Sequence, residues 1–170
     1  RRQLQMCIRD SQYTGMPTTP EIVYGFGPSL RYKKFDFSFF FQGAARVSIM
    51  MNGIHPFGAD GTRNVLQFIA DDYWSDTNQD IYAGYPRLSK RDNENNTKAS
   101  TYWQRNGAFL KLKNLEVGFI HKFFRVYLRG SNLLTFSPFK YWDPEMGSGS
   151  GLSYPTQRVF NVGVQFSINK

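Results

Sequence analysis

From Glu21 the chain alternates. Ile22, Tyr24, Phe26, Leu30 and Tyr32 fall on one parity; Gly25, Gly27, Ser29 and Arg31 fall on the other. A period of two predicts a strand with one apolar face. Tyr32-Lys33-Lys34 makes a short turn, after which Phe35, Phe37, Phe39, Phe41, Ala45, Val47 and Ile49 share a parity. Asp36, Ser38, Gln42, Arg46 and Ser48 take the opposite one, with Phe40 the bulky exception. Fifteen residues at ~3.4 Å each predict a ribbon of ~50 Å. Globular strands usually run ~3–10 residues, so this one is long for a small sandwich.

Beyond Met50 the alternation stops. Residues 52–107 are rich in Asn, Asp, Gly, Tyr and Trp and read as a long loop. Within it Val65, Leu66, Phe68, Ile69 and Tyr73 follow a rough helical spacing, predicting one short helix behind a cap at Asp60 or Thr62. Strands resume at Ala108, where Leu115, Val117 and Phe119 oppose Asn114, Glu116 and Gly118. Leu110 and Leu112 carry the apolar role on the other parity, so a bulge is expected near Lys113-Asn114. A tight turn at Ile120-His121-Lys122 leads into Phe124, Val126 and Leu128, set against Arg125, Tyr127 and Arg129, and Leu133-Leu134 continue the strand. A Gly- and Ser-rich loop over residues 137–156 precedes the last strand, where Phe160, Val162, Val164, Phe166 and Ile168 alternate with polar residues or glycine.

Short turns thus alternate with long loops, as in outer-membrane barrels. The expected fold is all-β, an antiparallel transmembrane β-barrel contributing about five strands. Five strands leave open edges whose unpaired backbone groups hydrocarbon does not tolerate. The chain therefore reads as a panel of a wider wall, without a stable fold of its own. The rival reading is a soluble carbohydrate-binding β-sandwich that buries the Phe ladder between two sheets and needs no detergent.

Composition narrows the choice. Hydrophobic residues are 41% of the 170, aromatic residues 17%, and mean hydropathy is −0.48. The cluster Phe39-Phe40-Phe41 is stopped by Gln42, far short of the ~20 apolar residues a membrane helix needs. A barrel passes this filter because its strands alternate. Net charge is +8, but basic residues never exceed pairs (Arg1-Arg2, Lys33-Lys34, Lys90-Arg91) and are interleaved with acids. That pattern suits a solvated or pore-lining surface better than a nucleic-acid patch. A single-strand binder with aromatic platforms is the distant third reading.

Chemistry is scarce. Cys7 stands alone, and His55 and His121 lie far apart, so neither a disulfide nor a zinc site is expected. Asp71-Asp72 and Asp76 do not follow a calcium-loop spacing. No catalytic triad, paired carboxylates or phosphate-cradling loop is legible, and Gly147-Ser148-Gly149-Ser150-Gly151 has no Lys-Thr or helix start behind it. The sequence predicts no enzyme, no metal and no cofactor. The long loops do offer aromatic rings: Tyr73, Trp74, Tyr82, Tyr85, Tyr102, Trp103, Tyr141 and Trp142 are candidate contacts to substrate or a covering protein. The alternative is that they build the loops' own small cores or an interfacial girdle. Arg31, Arg46, Arg125 and Arg129 share the polar parity and are expected to face the lumen.

Residues 1–11 stand apart. Met6-Cys7-Ile8-Arg9-Asp10-Ser11 reads as the codons ATG TGT ATA AGA GAC AG-, which resembles a transposon-type sequencing adapter, so this leader is expected to be non-native and 12–170 the barrel segment.

Several strings now converge in order: Pro20-Glu21-Ile22-Val23-Tyr24-Gly25-Phe26-Gly27, Tyr32-Lys33-Lys34-Phe35-Asp36-Phe37-Ser38-Phe39-Phe40-Phe41-Gln42-Gly43, Tyr85-Pro86-Arg87-Leu88, and Arg105-Asn106-Gly107-Ala108-Phe109-Leu110-Lys111-Leu112-Lys113-Asn114-Leu115-Glu116-Val117-Gly118. Arg125-Val126-Tyr127-Leu128, Asn132-Leu133-Leu134-Thr135-Phe136, Trp142-Asp143-Pro144-Glu145, Tyr154-Pro155 and Arg158-Val159-Phe160 follow. Together they resemble the SusC/RagA family of TonB-linked outer-membrane transporters. The resemblance covers roughly residues 17–168. It implies a plugged barrel of about 22 strands, of which this would be the C-terminal end. It also implies import of oligosaccharides or peptides across the outer membrane of a Gram-negative cell. The implied partners are a SusD-like surface lipoprotein acting as lid and the TonB complex acting through an upstream plug. Two departures stand out: Ile168 occupies the place of the family's terminal aromatic, and Trp74-Ser75-Asp76-Thr77-Asn78 only approximates its Trp-containing loop string.

Overall fold

The structure, a computed structural model, describes residues 15–51, 65–89, 96, 98–149 and 151–167. The leader at 1–11, the cap candidates Asp60 and Thr62, and Ile168 lie outside the described residues. Within them the elements run β1 (Ile22–Phe26), β2 (Ser29–Tyr32), β3 (Phe35–Ala45), β4 (Ser48–Met50), α1 (Gln67–Asp71), β5 (Gln104–Asn106), β6 (Phe109–Ile120), β7 (Phe124–Phe136) and β8 (Val159–Phe166). All pairings between them are antiparallel.

The main sheet runs β1-β3-β6-β7-β8, with β2 also on β3. β1 and β2 are one ribbon interrupted at Gly27-Pro28. Phe26 pairs with Phe41 and Ser29 with Ser38, so no residue is inserted. The gap follows from Pro28, which has no N–H to give; its carbonyl still accepts from Phe39. Five ribbons result, as the alternation predicts.

The register lines up the faces. Phe35, Phe119, Val126 and Val164 form one cross-strand row, and Phe37, Val117, Leu128 and Val162 another. Between them run polar rows such as Ser38, Glu116, Arg129 and Asn161. The bulge expected near Lys113-Asn114 is present. Asn114 pairs with Ser131 but Leu112 with Leu134, so Asn132 and Leu133 together oppose Lys113. On the other side Phe40 and Phe41 face Asn114 and Leu112, which leaves Lys113 as the extra residue. This insertion flips parity and keeps Leu110 and Leu112 on the apolar side while Lys111 joins the polar one. Asn132 takes the left-handed backbone (φ 55°) that such a bulge uses.

Phe40, the exception on the polar face, has a structural explanation. Its ring lies over Gly25 and Gly27, where a Cβ would collide with it. The two glycines open the space that the ring fills.

The apolar face is not covered by any described residue. Phe35, Phe37, Val117, Leu128, Phe160, Val162, Val164 and Phe166 are all exposed, Val162 and Phe166 at 76%. The sandwich alternative requires a second sheet over these rows, and the described residues supply none. No helix among the described residues is long and apolar enough to cross a membrane.

Three expectations need correction. The fifteen-residue ribbon breaks at Arg46-Val47, where Arg46 adopts φ 50°, and resumes as β4 in a separate two-stranded sheet with β5. Its partner ribbon breaks at the same level, and Gly107 N–H donates to the Val47 carbonyl across the gap. Second, residues 52–107 are not all loop. Gln104–Asn106 form β5, and other parts join a compact body. Ile49, Met51, Ile69, Tyr85, Trp103 and Phe139 form its core, with Phe68, Tyr102, Tyr141 and Trp142 packed around it. Loss of alternation marked the end of the flat sheet, not of order. Third, the helix is shorter than its spacing suggests. It starts after Leu66, whose apolar side chain makes no cap hydrogen bond.

Candidate functional site: the polar face and the loop cleft above it

Both tight turns lie at one end of the sheet, and the loop body stands at the other. The 33–34 turn is closed by the Tyr32–Phe35 pair, and at the 121–123 turn His121 N–H donates to Phe124 O at 2.7 Å. The polar face between these ends carries an ion network. The Arg125 guanidinium bonds the Asp36 carboxylate and reaches Glu116 Oε1 at 2.5 Å, while Arg129 Nε meets Glu116 Oε2 at 2.8 Å. Arg125 also lies over the Tyr127 ring, 5.1 Å from its centroid. Asp36 stacks over Gly118, which has no side chain to obstruct it. Arg31 faces Asp36 in register. The structure therefore brings Arg31, Arg125 and Arg129 to one face. Arg46 is separate: it sits in the break above β3 and pairs with Glu21.

The aromatic candidates divide. Tyr85 and Trp103 are sealed in the core of the loop body. Tyr73 bridges Tyr85 through a short parallel pairing, and Trp74 N–H donates to Tyr85 O at 2.9 Å. Tyr102 donates its hydroxyl to Ala83 O at 2.8 Å, and Trp103 Nε1 donates to Asn96 O at 2.9 Å. Tyr141 donates to Asp72 Oδ2 at 2.7 Å, and Trp142 Nε1 to Gly147 O at 3.0 Å. Burial, reinforced by Asp72, pushes the Tyr141 hydroxyl up to about 12. Tyr102, Trp103, Tyr141 and Trp142 thus spend their side-chain polar atoms inward. Tyr82, 85% exposed, is the one whose ring stands free in solvent.

A feature the sequence reading missed lies beneath the second loop. Lys111 is 1% exposed, on the polar side of β6. Its Nζ meets Asp143 Oδ2 at 2.6 Å, Glu145 Oε2 at 2.7 Å and Thr156 Oγ1 at 3.1 Å. Lys113 adds a second bond to Glu145. Asp143 is placed by its own turn: it extends into the short 3-10 turn Pro144–Met146 and accepts from Glu145 N–H, with Pro144 at the first position, where an N–H would be wasted. Burial opposes ionisation of both carboxyls, yet hydrogen bonds from Lys111, Thr156 and Lys113 outweigh it and hold both below the ordinary carboxylate range. The legible signal was Trp142-Asp143-Pro144-Glu145, a turn with two acids, facing a lysine on polar parity.

Around this latch opens a cleft of about 420 Å³ between the upper ends of β6 and β7 and residues 137–158. Asn132 and Thr135 form its floor, Phe139 and Trp142 part of its wall, and Lys140 and Arg158 add charge. Among the described residues no three of His, Cys, Asp and Glu cluster to suit a metal ion.

No protein-family model matches the sequence. The chain is 29% identical over 183 residues to TonB-dependent receptor P3 of Formosa agariphila, covering 94% of this chain and 17% of that receptor. TonB-dependent receptor P26 of the same organism is 29% identical over 182 residues, covering 91% of this chain and 18% of the receptor. Among solved structures, the RagAB peptide importer in its open-open state superposes with a TM-score of 0.62 at 23% identity, over 88% of this chain and 17% of that one. The RagAB peptide transporter gives 0.64 at 22% identity, over 92% of this chain and 19% of that one. The chain spans less than a fifth of the length of each of these relatives. The resemblance read from the sequence is thereby borne out as a resemblance: the chain is similar in sequence to part of two TonB-dependent receptors, and its antiparallel sheet has the fold of a section of the RagAB transporter chains.

Proposed function

We propose that this chain supplies barrel wall and surface-loop structure to a TonB-dependent importer in the outer membrane of a Gram-negative cell. The observation that carries the reading is the two-faced sheet: uncovered Phe and Val rows on one side, an ionised hydrogen-bonded network on the other. Hydrocarbon accepts the first face and a water-filled lumen the second. The loop body then stands on the extracellular side, above the tight periplasmic turns. Cargo is an oligosaccharide or peptide. The RagAB relatives are named for peptide import, which supports the latter. A SusD-like lipoprotein closes over the mouth, where Tyr82 is the ring positioned to meet it or the cargo. Energy comes from the TonB complex, and cargo moves without a covalent step.

Uptake of labelled oligosaccharides and peptides by cells carrying the full receptor tests this. Uptake is expected to vanish when either the receptor or TonB is deleted, and a SusD-like lipoprotein is expected in a neighbouring reading frame. Uptake indifferent to TonB sinks the proposal.

A further inference from the structure

The charges around the cleft do not balance. Lys111 and Lys113 are matched by Asp143 and Glu145, two cations against two carboxylates within hydrogen-bond reach. Lys140 and Arg158 line the same cleft, both exposed, and neither makes an ion pair among the described residues. Among the described residues the site is therefore neutral beneath, and two of its lining positive charges have no counter-ion. Its apolar wall is already spoken for: Phe139 packs edge-on against Trp142 at 4.6 Å between centroids, and Gly151 lies on the Trp142 ring. Ring stacking is thus a poor mode of recognition here, and charge and hydroxyl contacts are what the cleft offers. Its volume is large enough for one amino-acid side chain or sugar unit.

We infer that this cleft is a subsite for a carboxylate carried by the cargo, held by Lys140 and Arg158, with Asn132 and Thr135 available to its polar neighbours. The inference rests on the importer reading and deepens it by naming the charge class of the cargo. Asp143 does not repel the anion, because Lys111, 2.6 Å away, already neutralises it. Arg158 supplies the planar fork suited to two carboxylate oxygens, and Lys140 a point charge on a movable stem. Residues 137–158 give the site its roof, so Lys111 acts as a positioning residue by fastening that segment.

The test uses the full receptor, purified in detergent. Binding is compared for a peptide with one glutamate against its glutamine counterpart, and for trigalacturonate against its methyl ester. The receptor is expected to prefer the acidic member of at least one pair by about tenfold or more. K140Q/R158Q is expected to bring that ratio close to one, and the charge-conserving K140R/R158K to keep most of it. Whichever pair discriminates identifies peptide or saccharide as the carboxylate's source. A ratio near one for both pairs in the unaltered receptor, or a preference unchanged in K140Q/R158Q, overturns the subsite. Cargo uptake without need of TonB would instead defeat the importer reading and leave these binding ratios intact as a separate measurement.

Discussion

Lys111 carries its charge to a position with almost no solvent, which is tolerable only because three oxygens surround it. Replacing it with Met removes the cation, leaves the half-buried Asp143 without its counter-ion, and leaves the more exposed Glu145 to Lys113 alone. Breaking a fully buried pair from one side costs about 3–5 kcal/mol, and the partial exposure of both carboxylates brings the cost here below that range. Lys111→Met is thus expected to loosen residues 137–158, read as faster proteolytic nicking there in the full receptor. Lys111→Met with Asp143→Asn and Glu145→Gln should recover part of the loss, because no bare carboxylate remains. The same cluster sets an acid limit. Asp143 and Glu145 have folded-state values below their ordinary 3.8 and 4.5. A depressed carboxyl stabilises the fold at pH above its unfolded value and loses that contribution as pH falls through the folded one. The loop should therefore be held fully at neutral pH and released progressively below about pH 4. Hydrogen exchange within 137–158, corrected for its intrinsic pH dependence, reads this directly; flat protection down to pH 3 would contradict it.

At the scale of elements, the bulge at Lys113 decides whether the upper and lower halves of β6 present the same face. Its left-handed residue is Asn132, a type that tolerates φ 55°, whereas a β-branched residue does not. Asn132→Ile is expected to cost about 1–2 kcal/mol from backbone alone, plus the bond from Asn132 Nδ2 to Gln157 O. Asn132→Gly loses that bond but relieves the backbone, so it should be clearly milder. Comparative melting of the two variants in detergent measures the difference. The bulge also illustrates what sequence reveals. Leu110 and Leu112 on the wrong parity announced it, because alternation registers any single insertion. Phe40 looked like an exception because its justification, Gly25 and Gly27, lies on another ribbon. Likewise the loop body was invisible to periodicity: Ile49, Tyr85 and Phe139 come from three distant stretches and meet only after the sheet brings them together. The aromatic candidates were legible as residues, but the bonds that turn Tyr102 and Tyr141 inward reach Ala83 and Asp72, far away in the sequence. Lys140 and Arg158 escaped notice because a missing counter-ion has no sequence signature.

For the whole molecule, the importer reading turns on which medium each face meets, and two adjacent residues on one strand separate the possibilities. Phe37 lies in the row with Val117, Leu128 and Val162, while Ser38 lies in the row with Glu116, Arg129 and Asn161. They share a strand, a depth and near-identical backbone. If the Phe row meets hydrocarbon, Phe37→Lys places a charge in lipid at a cost of about 2–4 kcal/mol near the bilayer midplane, falling toward zero near the interfaces. Ser38→Lys places the same charge beside Glu116 in water, where a lysine is accepted. The full receptor bearing Phe37→Lys is therefore expected to insert poorly into the outer membrane. The Ser38→Lys receptor should insert normally, with cargo passage altered by the added lumen charge. Gel-shift of the heat-resistant barrel and its yield in outer-membrane fractions report insertion independently of transport. Equal insertion of both variants would mean that the Phe rows do not face lipid, and a sheet with two solvated faces has no reason to carry four phenylalanines on alternate positions of one strand.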